Sequence, residues 1–217
     1  MKYKNKLILL VVFATTLMAG ASLTSAGQPR RAATAEQPVA RVLKENVFRV
    51  QIDPKSQEQK EAKRTQKGTD YEKWFRDYQA ERLVSFILNP LLREFVKAHK
   101  ITASVGEINS MSHAVFKKRV ARGANKTLAE AAVIQWKVSK ALYQQYGGTV
   151  IFQQSNPYEP VGAYAKFLEE QEQKKAFEIF DPKLREIFWC YFTCEQSMIV
   201  PPNEVNYDVP WWLQKPK

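Results

Sequence analysis

Apolar positions recur along this chain in three rhythms, and each rhythm predicts a different element. From Leu7 to about Ala21 they are nearly continuous, with Lys2, Lys4 and Lys6 before them and small residues through Ala26 after them. A run of about 15 apolar residues is shorter than the roughly 20 that span a bilayer. Behind a basic start it has the form of a secretory signal peptide over residues 1–26, with cleavage expected after Ala21 or Ala26. Residues 27–37 are small, polar and basic without periodicity, which predicts a flexible lead.

Between Pro38 and Asp53 the apolar residues come in two β-rich bursts around Lys44-Glu45-Asn46. Val47, Phe48, Val50 and Ile52 suit a short strand near 47–52, in a hairpin or an extended edge segment. Lys55 to Asp70 is almost wholly polar and reads as a solvated helix start or a loop. From Tyr71 the period becomes helical: Trp74, Phe75, Tyr78, Leu83, Phe86, Ile87, Leu91, Phe95 and Val96 recur at steps of three and four. Pro90 inside this stretch removes an interior donor, so a kink or two abutting helices are expected.

Ser104 and Glu107 stand at capping-box spacing and predict a second helix over 105–121, ended by Arg122-Gly123. Thr127 and Glu130 repeat that spacing ahead of a third helix that stops at Gly147-Gly148. A strand is expected near 149–154, a turn at Asn156 to Pro160, a helix over 161–175, and a short strand near 177–180 lying beside 149–154. Asp181 before Pro182 starts a fifth helix to about Cys194. The tail over 201–217 carries four prolines and should be extended, with Trp211 and Trp212 docked on the body. The sum is a mainly α fold: one multi-helix domain over 38–200 with a small β element.

Charge narrows the partners. The chain carries +11, and removal of residues 1–26 leaves +8 over 191 residues. The basic residues are scattered and interleaved with acids, which describes solvated helix faces better than one binding stripe. Outside the cytoplasm the partners suited to such a surface are acidic polypeptides and an anionic membrane surface; nucleic acid is not expected.

The catalytic inventory is thin. There are two histidines, His99 and His113, neither at metal-ligand spacing, and no serine framed as Gly-x-Ser-x-Gly. Gly147-Gly148 precedes a strand, the reverse of the order in a phosphate cradle. No cofactor or metal is expected. Cys190 and Cys194 stand four apart on one predicted helix face, where two packed thiols and a disulfide are both open. The five tryptophans, with many Phe and Tyr, exceed what one small core needs, although most belong in a core.

The segment Pro38-Val-Ala-Arg-Val42, followed by Glu81 through Leu91-Leu92 to Ile101 and then Thr102-Ala-Ser-Val-Gly-Glu-Ile108, resembles the N-terminal helical region of SurA-type and PrsA-type extracytoplasmic peptidyl-prolyl isomerases. The resemblance covers about residues 38–148. It implies a SurA-N-like helical bundle serving as a chaperone module for unfolded polypeptides. The stretch from Tyr146 to Lys217 lacks the strand set and paired histidines of a parvulin domain, so isomerase activity is not implied.

The expectation is therefore a periplasmic or secreted, non-enzymatic, chaperone-like protein that binds unfolded or envelope proteins through hydrophobic helix faces. Trp74, Phe75, Tyr78, Phe86 and Phe95 on the long helix, with Trp211 and Trp212 in the tail, are the candidate contacts. Two other readings stand beside it. One is a cell-envelope enzyme using paired carboxylates among Glu107, Glu159 and Asp181. The other is a structural subunit of an envelope assembly, marked by an exposed apolar patch on the tail.

Overall fold

The computed structural model describes residues 37–214 apart from Lys67, Arg119 and Ser155. The signal peptide and nearly all of the flexible lead predicted from the sequence lie outside the described residues. Three strands and seven helices follow in the order β1 (Pro38–Val42), β2 (Glu45–Phe48), α1 (Arg49–Ile52), α2 (Ser56–Thr65), α3 (Thr69–Ala98), α4 (Val105–Phe116), α5 (Gly123–Tyr146), α6 (Val161–Gln173), β3 (Phe177–Ile179) and α7 (Pro182–Thr193). Two 3-10 turns, Pro202–Glu204 and Trp211–Leu213, complete the chain. The fold is mainly α with a small antiparallel sheet, and no helix among the described residues is long and apolar enough to cross a membrane.

The sheet has the order β2-β1-β3. Leu43 and Lys44 form a two-residue turn with both φ positive, the backbone that matches the twist of a tight hairpin. The expected strand over 47–52 is cut short. After Phe48 the chain winds into the helical turn α1, because the Gln51 side chain accepts from the Phe48 amide at 2.7 Å and Arg49 pairs with Asp53 and Asp181. β3 does not lie beside 149–154; it pairs with β1 in the register Ala40↔Ile179, Arg41↔Glu178, Val42↔Phe177. Residues 149–154 form no strand, since Ile151 makes only isolated bridges to Glu159 and Ile199.

The polar stretch 55–70 resolves into α2 and a linker. α3 then runs through Pro90 as one element rather than two. Ile87, Leu88, Leu91 and Leu92 are buried on both sides of the proline and hold the halves to one core, while the Asn89 amide donates to Ser85 Oγ at 3.0 Å.

The capping box of α4 is formed: the Glu107 amide donates to Ser104 Oγ at 3.3 Å, and the Glu107 carboxylate accepts from the Ser104 amide at 2.8 Å. α4 ends at Phe116, short of the expected 121, because Lys117 takes the left-handed conformation and its ammonium donates to the Ala114 carbonyl. α5 begins at Gly123, so Thr127 and Glu130 lie inside it rather than at its cap. Asp181 caps α7 as its sequence implies, accepting from the Lys183 and Leu184 amides at 2.9 and 3.0 Å.

Two hydrophobic cores result. The first gathers the sheet, α1, α3, α6, α7 and the α5 residues Val138 and Leu142. The second gathers α4, the α5 residues Ala129, Val133 and Trp136, then Val150, Tyr207 and Trp212. At 3.6 residues per turn these two sets fall on opposite faces of α5, which is therefore buried between the cores. The tail is irregular between its turns, yet it forms a wall of the second core.

α6 starts against the segment that leaves α5. The Gly162 amide donates to the Thr149 carbonyl at 2.9 Å, and a Cβ on Gly162 would overlap Thr149 N and reach Gly148 Cα and C at 3.0 Å. Backbone cannot yield there as a flexible side chain can. Gly162→Ala should cost about 2 kcal/mol or more, lowering Tm by roughly 5 °C. Gly106→Ala, in open space on α4, should stabilise by about 0.5–1 kcal/mol. Thermal unfolding of the two variants beside the parent measures both.

Candidate functional site

The aromatic residues singled out on the long helix are used internally. Trp74 contacts Tyr71, Phe75 and Tyr78, with ring centroids 5.7, 6.4 and 5.7 Å away. All four rings are half-buried, and α2 lies along them: Tyr78 Oη donates to Glu58 at 3.2 Å and the Lys63 ammonium stands 5.2 Å from the Tyr71 ring. Phe86 is half-buried under the Arg82 guanidinium, 5.3 Å from its ring. Phe95 is buried in the first core, stacked on His99 and edge-on to Phe167. In the tail Trp212 is buried against Trp136, and Trp211 is half-buried at its side. The predicted contacts thus belong to separate aromatic groups, and of them Trp211 lines a surface cleft in the tail region.

That cleft is built where sequence reasoning placed a plain strand. Leaving Gly148, the chain buries Val150 and Ile151 and becomes extended. Ile151 exchanges both backbone hydrogen bonds with Glu159 at 2.9 Å, and on its other edge the Phe152 amide donates to the Met198 carbonyl and the Val200 amide to the Val150 carbonyl, each at 2.8 Å. Three short extended segments are thereby held side by side. Phe152 and, at a bend where Met198 takes a positive φ, the neighbouring Met198 and Ile199 are left 44%, 64% and 56% exposed. With Pro157, Tyr158 and Trp211 they line an open cleft of about 610 Å³, whose polar rim is Glu204 and Gln214.

The tail is fastened at this rim by directed bonds. Tyr158 Oη donates to Gln214 Oε1 at 3.0 Å, Gln214 Nε2 donates to the Val209 carbonyl at 2.7 Å, and Tyr207 Oη donates to the Tyr158 carbonyl at 2.7 Å. No apolar period announces residues 197–200, so the cleft's most exposed wall was invisible to a periodicity search. The Pro-bracketed turn 156–160 is its one sequence signal.

Glu159 is the chemically unusual group. It is 4% exposed, and Asn156 Nδ2, also buried, donates to its Oε2 at 2.6 Å. Burial outweighs that hydrogen bond and pushes its carboxyl up to about 7. Burial, and then the Glu159 charge, raise the phenols of Tyr164, Tyr191 and Tyr207. The other two carboxylates considered for catalysis have separate structural work. Burial disfavours the Glu107 charge, but Lys137 and the Ser104 cap hold its carboxyl below the usual range, and Asp181 caps α7 while binding Arg49. Among the described residues no group of three or more His, Cys, Asp or Glu is placed to hold a metal ion.

Cys190 and Cys194 are joined in a disulfide with Cα atoms 4.7 Å apart on the exposed side of α7, beside Trp189 and Arg185. Where the sequence left both states open, the structure has the bridge.

The raised Glu159 carboxyl has a definite pH signature. The folded protein binds this proton more tightly than the unfolded chain, so its contribution is fully present below about 4.5 and is lost as pH rises through about 7. Stability should therefore increase on going from pH 8 to pH 6. Glu159→Gln should flatten that slope and stabilise the protein at pH 8 by on the order of 3 kcal/mol. Denaturant unfolding at the two pH values is the check.

Comparison with protein-family models, with curated proteins and with solved structures returns no match, so the functional reading rests on the residues and their geometry.

Proposed function

We propose that this protein acts outside the cytoplasm as a non-enzymatic polypeptide-binding factor that seats an extended apolar segment of an unfolded or envelope protein in the cleft between residues 150–158 and 198–214. The observation that carries the reading is the exposure of Phe152, Met198 and Ile199 around one concave surface backed by ordered, strand-like backbone. Large aliphatic and aromatic side chains kept in water at a cleft represent binding capacity that the fold itself does not use. A peptide in extended conformation can lay apolar side chains against these three while its backbone runs beside the paired segments.

Further support comes from the likeness of residues 38–148 to the chaperone region of extracytoplasmic isomerases, from the leader pattern, and from the disulfide, which suits an oxidising compartment. Of the contacts expected from the sequence, this reading keeps Trp211 of the tail and sets the C-terminal cleft in place of the long helix. Among the described residues the cleft lining holds one carboxylate, Glu204, whereas glycosidic chemistry calls for a pair.

A fluorescent peptide rich in Leu and Phe should bind the chain from Gly27 to Lys217, and Met198→Asp with Ile199→Asp should weaken it at least about tenfold. Both side chains are largely exposed, so Tm should move little. The same preparation should suppress aggregation of an unrelated unfolded protein without accelerating prolyl isomerisation. Failure of both binding and suppression would sink the reading. Self-association abolished by the double substitution would instead mark the cleft as a subunit contact.

A further inference from the structure

At the α4–α5 turn, which contributes no residue to the lining of the cleft, the sequence and the surface combine in a second way. Residues 108–129 contain Lys117, Lys118, Arg119, Arg122 and Lys126 and no Asp or Glu. Lys118, Arg122 and Lys126 are exposed there, and so are three aliphatic side chains set among them, Val115, Val120 and Leu128. Val120 is 53% exposed, while its neighbour Ala121 is buried in the second core.

The described residues of the turn are tied back to α4. The Lys117 amide donates to the His113 carbonyl at 3.1 Å and the Lys118 amide to the Ser112 carbonyl at 3.3 Å, while the Ala121 amide donates to Asn109 Oδ1 at 3.0 Å. Backbone is thus clipped on both sides of Val120, and its exposure is set by the fold.

We infer that the α4–α5 turn is a docking point for the surface of an anionic phospholipid bilayer, with the cations against the headgroups and Val115, Val120 and Leu128 seated among them. Three features select this occupant. The tip is the turn of a helical hairpin, and none of its exposed residues lines the cleft described above. Its apolar residues are single aliphatic side chains separated by long cations, an arrangement that a fluid interface closes around one side chain at a time. Its uninterrupted positive charge complements a negative leaflet, and each cation near such a surface adds to the attraction. An acidic polypeptide would satisfy the cations and leave the valines in water.

The test uses residues 27–217, which retain every residue of both cores and omit the apolar leader, in sedimentation with vesicles. Vesicles of phosphatidylcholine with about a quarter phosphatidylglycerol should bind at least about tenfold more tightly than pure phosphatidylcholine, with the difference shrinking in high salt. The variant Lys118→Glu, Arg122→Glu, Lys126→Glu should abolish the preference. A control of equal net charge, Lys44→Glu, Lys60→Glu, Lys183→Glu, all exposed and elsewhere in the fold, should retain most of it. Val120→Ser should weaken vesicle binding severalfold with all charges kept. Equal loss in the two triple variants would overturn the inference by reducing it to net charge. So would binding to polyglutamate in place of vesicles, which would assign the tip to acidic polypeptides.

Discussion

The burial of α5 on two opposite faces is the constraint from which the rest of the molecule follows. A helix that carries Ala129, Val133 and Trp136 on one side and Val138 and Leu142 on the other cannot lie on a surface. It requires one layer of structure on each side. The first is the α3, α6 and α7 layer capped by the sheet; the second is α4 and the C-terminal tail. Ser139 and Tyr164 meet in the seam at 3.2 Å, a buried hydrogen bond that fixes the rotation of α6 against α5. Surface ion pairs such as Lys73 with Asp77 add little by comparison, each being worth at most about 1 kcal/mol.

The cleft is a by-product of closing the second layer. α4 alone is too short to cover Trp136, and the cover is completed by Tyr158, Tyr207 and Trp212, whose rings stand 6.3, 5.0 and 6.2 Å from the indole. To deliver those rings the chain must cross the same region twice, around 150–159 and again through 198–212, the second time by way of two 3-10 turns. The side chains of this crossing that face inward close the core, and those that do not, Phe152, Met198 and Ile199, have no layer left to cover them. The buried Glu159 belongs to the same crossing, its backbone occupied with Ile151 and its side chain turned to Asn156.

Helices were readable wherever local chemistry decided them. The Ser104 and Glu107 box, the Asp181-Pro182 start and the Gly147 stop each act within one turn, and each is found where its residues stand. Errors arose where a distant partner decided. Residues 49–52 have strand-forming side chains, yet Gln51 and Asp181 draw them into a helical turn. The strand propensity of 149–154 was real, but its partners are a turn and a tail segment rather than β3. α4 lost its last turn to a lysine in a left-handed conformation, which no periodicity encodes. Of the aromatic residues singled out, Phe95 and Trp212 are buried and Trp211 lines the cleft, a distinction that helical spacing and composition do not carry in one dimension.

The central position of β1 sets an order on folding. Its partner on one side, β2, is three residues away along the chain, but on the other side Arg41 meets Glu178 at a sequence separation of 137, and Leu184, Phe188 and Phe192 close the same core from beyond that. Contacts of such sequence separation form late and slowly. A polypeptide emerging from its N-terminus holds β1, α3 and their exposed apolar faces open until nearly the whole chain has been made. The first core thus has no wall it can close early, because α7, the last α-helix of the described residues, supplies Leu184, Phe188 and Phe192 to it.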